Sequence, residues 1–149
     1  MAKIRVSKCF TLDMAHALDG YNGRCRFIHG HTYHLKITVL GPVLSKFGDP
    51  NNGFVMDFNI LKSLVTDGII EHFDHALVLH KKSPYLESEY YNLKQQRTIL
   101  TDFQPTCENI LLHFVSIIQK QLPDEVQLVA VRLDETPRSF AEWLIEDQA

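Results

Sequence analysis

The chain has 149 residues, 45% hydrophobic and 22% charged, which suits a single domain spanning 1–149 with its own core. A formal charge of −3 excludes the basic footprint of a nucleic-acid binder. No apolar run approaches the ~18 residues of a membrane span, no signal-like core precedes the first strand pattern, and three cysteines do not make a disulfide framework, so the expected location is cytoplasmic.

In chain order, Ile4 to His16 alternates as a strand, with Ile4, Val6, Phe10, Leu12 and Met14 on the parity of His16 and only Lys8 breaking the row. Leu18 to Arg24 is turn chemistry, with two glycines. His29 to Leu40 is a second strand whose His29, His31, Tyr33, Leu35, Ile37 and Val39 share one face, and Gly41-Pro42 ends it. Ser45 to Gly53 is loop. Asp57 then caps a helix carrying Leu61, Leu64, Val65 and Ile69, with Gly68 costing about 1 kcal/mol in its interior. Phe73 to Leu79 follows directly. Ser83 to Arg97 is polar and aperiodic, a partly helical excursion in which Pro84 opens a short helix at Tyr85–Leu93. Thr98 to Phe103 is a short extended piece.

Thr106 caps the second helix, whose stripe is Leu111, Phe114, Val115, Ile118 and Leu122, and Pro123 ends it. Val126 to Glu135 is the third strand, Thr136 to Ser139 a turn, and Phe140 to Ile145 the fourth strand. The order strand-strand-helix-helix-strand-strand predicts an α+β fold: a four-stranded antiparallel sheet with both helices on one face.

Histidines stand out in this pattern. If the first two strands pair antiparallel, His16, His29 and His31 converge at one end of one apolar face. Three imidazoles without a fourth protein ligand hold a catalytic zinc and leave a position open, although a single histidine on such a face is more often a satisfied core residue. Cys25 is the one cysteine beside these imidazoles; Cys9 and Cys107 read as structural. Asp74-His75 at the first helix's exit reads either as a solvated helix end or as a carboxylate orienting an imidazole. Glu135 closes an apolar row, so either the row has reached solvent there or the acid meets a buried donor. Glu108 reads as a helix N-terminal acid.

Cys25-x-x-x-His29-Gly30-His31-x-Tyr33 with the upstream His16 resembles the signature of the 6-pyruvoyltetrahydropterin synthase and 6-carboxytetrahydropterin synthase family. The match continues through Phe54-Val55-Met56-Asp57-Phe58, Phe73-Asp74-His75, Pro105-Thr106-x-Glu108-Asn109 and Glu135-Thr136, nearly the whole chain. The resemblance implies the tunnelling fold, zinc on His16, His29 and His31, a proton-transfer set of Cys25, Asp74 and His75, and a pterin ring anchored by Glu135 with Glu108 in support. It further implies a small-molecule substrate, 7,8-dihydroneopterin triphosphate, and a homohexamer built as two trimers. The stretches around Val55 to Phe58 and Phe73 to Leu79 are more similar to bacterial carboxy-forming members, which release acetaldehyde and triphosphate on the way to queuosine-type deazapurines. The alternatives are the pyruvoyl-forming reaction, which eliminates triphosphate and keeps the carbon chain whole, and a non-catalytic metal- or pterin-binding module of the same fold.

Overall fold

The computed structural model describes residues 2–87 and 97–149. Its centre is the pair β1 (Lys3–His16) and β2 (His29–Pro42), antiparallel in one unbroken register from Lys3 opposite Pro42 to His16 opposite His29. Alternation puts Leu12, Met14 and His16 of β1 and Tyr33, Leu35, Ile37 and Val39 of β2 on the same buried face. Lys8, the charge in that row, lies with its ammonium 5.7 Å from the ring centre of Phe58, close enough for a cation–π contact.

β5 (Gln127–Thr136) pairs antiparallel with β2, and β6 (Ser139–Leu144) antiparallel with β5. On the other side, β3 (Ala76–His80) runs parallel to β1, and β4 (Thr98–Thr101) parallel to β3. The sheet is therefore six-stranded and mixed, in the order β4-β3-β1-β2-β5-β6, which corrects the expectation of four antiparallel strands. The reason is physical. Ala76, Leu77, Val78 and Leu79 are all buried, so β3 carries no inside–outside alternation to distinguish it from any short apolar run. β4 has four residues and follows the polar excursion, whose described part is a single 3₁₀ turn, Pro84–Glu87. The remainder of the expected Tyr85–Leu93 helix lies outside the described residues.

Both helices pack on the face carrying Leu12, Tyr33 and Leu35, as expected. α1 (Phe58–Val65), a π turn (Thr66–Ile70) and the short α2 (Glu71–Phe73) run on as one helical segment. The Asp57 carboxylate accepts the Asn59 N–H at 2.7 Å and so caps α1. Asp57→Ala should cost about 1 kcal/mol of stability, read as an earlier denaturation midpoint at unchanged slope. α3 (Cys107–Gln119) is capped by Thr106, whose hydroxyl accepts the Asn109 N–H at 3.3 Å. Gly68 sits where the two helices meet: a Cβ there would lie 2.9 Å from the Gln121 side chain and 3.0 Å from an Ile117 methyl. The helix tolerates this poor helix former because the packing has no room for a larger one. Phe114, Ile110, Leu61 and Ile69 close the core against Tyr33 and Leu35. No described helix is long and apolar enough to cross a membrane, and all three cysteines are free thiols.

Candidate metal centre and adjoining cleft

His16 and His29 face each other at the open end of the β1–β2 ladder, and His31 is the next inward residue along β2. Their ring centres lie 4.6 Å (His16–His29), 5.4 Å (His16–His31) and 5.0 Å (His29–His31) apart. The ligand atoms these rings can offer all fall within 4.8 Å of one another. Gly30 between them allows close pairing, since a Cβ there would come within 3.2 Å of the Met14 carbonyl oxygen.

The hydrogen bonds settle which nitrogens are free. His16 Nδ1 lies 2.7 Å from the Pro105 carbonyl, and His29 Nδ1 lies 2.7 Å from the Phe27 carbonyl. A carbonyl only accepts, so both Nδ1 atoms carry the proton and donate it. Each neutral ring then presents a lone pair at Nε2, and these two atoms stand 3.1 Å apart. Two lone pairs at that separation repel unless positive charge sits with them. His31 Nε2, the third, is buried without a hydrogen-bond partner among the described residues. Burial lowers the pKa of both His16 and His31, favouring the neutral, ligating form. Carbonyl-oriented rings, convergent lone pairs and an orphaned third nitrogen fit a cation bound by three imidazoles.

Next to the triad is a cleft of about 320 Å³ lined by His16, Tyr21, Cys25, Cys107, Glu108 and Glu135 among others. Cys25 reaches it from a 3₁₀ turn (Arg24–Arg26) in the β1–β2 connection. Glu135 enters just past a register shift in β5 between Asp134 and Thr136. Its Oε2 accepts the Tyr33 hydroxyl at 3.3 Å and its Oε1 is 3.8 Å from His31 Nε2. The acid at the end of the apolar row thus has a buried donor. Burial, with Glu135 adding to it, raises the Tyr33 pKa far above the ordinary phenol value, so the hydroxyl stays a donor. Cys107, read from sequence as structural, lines the same cleft and donates its S–H to the Leu133 carbonyl at 3.4 Å. Burial pushes this thiol up to about 12, so it stays protonated.

Asp74 and His75 are elsewhere. They leave α2 and turn onto β1, where the Asp13 N–H donates to Asp74 Oδ1 at 2.8 Å and the His75 N–H to the Asp13 carbonyl at 2.7 Å. His75 takes a left-handed φ of 62° to do so. Its Nδ1 is 3.0 Å from Asp74 Oδ2, and the hydrogen bond from Asp13 is the main reason the Asp74 pKa is lowered. His75 borders a second depression of about 520 Å³, lined also by Asp13, Gly30, His31, Thr32 and Arg97 among others. Within one chain, then, His16, Cys25, Glu108 and Glu135 line one cleft, His75 lines the other with Asp74 beside it, and His31 of the triad lies on the side of His75 while its Nε2 reaches toward Glu135.

Residues 5–145 match the family model described as 6-pyruvoyl tetrahydropterin synthase. The chain is 35% identical to the 6-carboxy-5,6,7,8-tetrahydropterin synthase of Haemophilus influenzae, covering 93% of this chain and 97% of that one. It is 29% identical to the protein of the same name from Rickettsia bellii, covering 93% and 99%. Among solved structures, the 6-pyruvoyl tetrahydropterin synthase of Plasmodium falciparum superposes with a TM-score of 0.72 at 21% identity, over 96% of this chain and 98% of that one. An uncharacterized protein from Wolinella succinogenes gives 0.77 at 18% identity, over 97% and 99%. At those identities the structural likeness speaks for the fold.

Proposed function

The chain belongs to the 6-pyruvoyl tetrahydropterin synthase family, and from that premise we propose that it is a zinc-dependent lyase acting on 7,8-dihydroneopterin triphosphate. One water is consumed and the product is 6-carboxy-5,6,7,8-tetrahydropterin, with acetaldehyde and triphosphate released, a step toward queuosine-type deazapurines. The observation that carries this reading is the set of three convergent imidazole nitrogens, one of them orphaned, bordering a cleft that also holds a thiol and a carboxylate. The carboxy-forming product is favoured by relatives of that name that match 93% of the chain at 29% and 35% identity.

His16, His29 and His31 would hold the zinc. Bound there, it supplies Lewis acidity that makes the side-chain hydroxyls and the neighbouring C–H more acidic. Glu135 accepts paired donors from the amino-pyrimidinone edge of the pterin, and the Tyr33 hydroxyl keeps that carboxylate aimed. Glu108 gives a second polar contact at the same rim. Cys25 acts as the base that takes a proton from the side chain. Asp74 holds His75 through Nδ1, which leaves Nε2 of that ring to receive or return protons.

Cys25 and His75 border different depressions of one chain, so the proton-transfer set is completed between copies. Asp74 and His75 serve Cys25 of the partner subunit in a homohexamer of two trimers. Among the described residues β4 and β6 are the outer strands of the sheet, and their margins are the ones such pairing between copies would use.

The decisive assay is product analysis of zinc-loaded protein with 7,8-dihydroneopterin triphosphate. Acetaldehyde released in step with triphosphate is the expected result. Triphosphate without acetaldehyde would replace the reading by the pyruvoyl-forming reaction, and neither product would reduce the protein to a binding module.

A further inference from the structure

The β1–β2 connection that carries Cys25 is held by three side chains from other parts of the fold: the Tyr85 hydroxyl donates to the Arg26 carbonyl at 3.2 Å, and Ser83 and Gln104 both bind Asp19. Gln104, just before α3, donates from Nε2 to the Asp19 carbonyl at 2.8 Å and accepts the Asp19 N–H on Oε1 at 3.3 Å. One amide thus satisfies both main-chain groups of Asp19. The Ser83 hydroxyl, itself buried, fixes the Asp19 side chain at 2.9 Å. From Asp19 the chain turns through Gly20, at φ 74°, and returns to Cys25, whose carbonyl accepts the Leu18 N–H at 2.9 Å. The clasp is therefore one residue away from the bond that closes the Cys25 turn.

Gln104 is anchored at its other end as well. Its carbonyl accepts the Asn109 side-chain amide at 3.0 Å and the Thr106 N–H at 2.8 Å, both from the start of α3. The next carbonyl, Pro105, is the one that orients His16. One two-residue segment thus governs both an imidazole of the triad, through its main chain, and the thiol-bearing turn, through its side chain. The His29 bond to the Phe27 carbonyl ties the triad to the far end of the same turn, and Gln104 holds its near end.

We propose that Gln104 is a positioning residue for the reaction, setting where the Cys25 thiol stands relative to the His16–His29–His31 centre. The proposal rests on the catalytic role given to Cys25 above. Its effect is on placement: the imidazoles keep their carbonyl partners without the Gln104 side chain, so metal content does not depend on it. A thiol displaced by an ångström loses rate far more than it loses substrate affinity.

Two measurements on zinc-loaded Gln104→Ala and Gln104→Glu test this. The second variant is isosteric and replaces donation to the Asp19 carbonyl by a negatively charged oxygen, so it breaks the clasp without opening a cavity. The first measurement is the rate of Cys25 alkylation by iodoacetamide, followed by mass spectrometry, which needs no turnover. Release of the clasp should raise it about fivefold or more, because the turn opens locally; a wild-type rate in both variants overturns the proposal. The second is steady-state kinetics with 7,8-dihydroneopterin triphosphate. The expected result is kcat lower by roughly ten- to a hundredfold with KM and zinc stoichiometry unchanged. A raised KM with kcat intact would make Gln104 a substrate-binding residue and also overturn it. If wild-type protein turns over no pterin triphosphate, the proposed function fails, and the alkylation rates still decide the role of Gln104.

Discussion

His31→Ala should yield a folded protein that no longer retains metal through desalting, with affinity weakened by at least ~100-fold. The magnitude follows from what loss of supporting groups alone does: removing an outer partner of a ligating histidine costs about 10–100-fold. Removing a ligand itself should lie at or beyond the upper end of that range. His31 is the most informative of the three because its buried Nε2 has no hydrogen-bond partner among the described residues, only Glu135 at 3.8 Å. His29→Ala should behave likewise, and its loss also removes the 3.1 Å contact with His16. His34→Ala is the matched control. It lies on the same strand but on the outer face, 3.3 Å from the Thr11 hydroxyl, and should keep stoichiometric metal. Elemental analysis after desalting reads all three variants, and full metal in His31→Ala would remove that residue from the ligand set.

Cys25→Ala separates an enzyme from a binder. A protein that only holds metal or pterin has no use for a thiol at this place, and Cys25 makes no side-chain hydrogen bond among the described residues that the fold would miss. The expected result is unchanged zinc content, unchanged melting behaviour, and turnover lower by roughly a hundred- to ten-thousandfold, the range for loss of a proton-transfer group. Cys107→Ala serves as the comparison. Its thiol borders the same cleft but is held protonated with its hydrogen on the Leu133 carbonyl, so it has no lone pair poised to act as a base. Near-normal turnover by Cys25→Ala would end the assignment of the thiol as base.

How much of this could be read in the sequence depends on which periodicities survive burial. β1 and β2 each have one wet and one dry face, so parity alone put His16, His29 and His31 together, and both cap residues, Asp57 and Thr106, had visible signatures. β3 escaped because a strand covered on both faces loses its alternation. That omission had a consequence for the site. Without β3 running parallel beside β1, nothing in the sequence says that Asp74 and His75 are drawn across to the main chain of Asp13, away from Cys25. Hydrogen bonds to main-chain carbonyls are equally invisible beforehand. Pro105 and Phe27, which fix the tautomers of two histidines, contribute atoms that every residue possesses.

The bare backbone at Gly68 has a reach that its position conceals. A helix seated against another across a glycine cannot creep lengthwise, because the Ile117 methyl would have to climb over a neighbouring side chain to advance. Ile117 stands ten residues, some 15 Å, along the same rod from Cys107. That notch therefore indexes how far the opening turn of α3, with Cys107 and Glu108, stands toward the cleft those two residues line. The width of that cleft is gauged by a residue that lines no part of it.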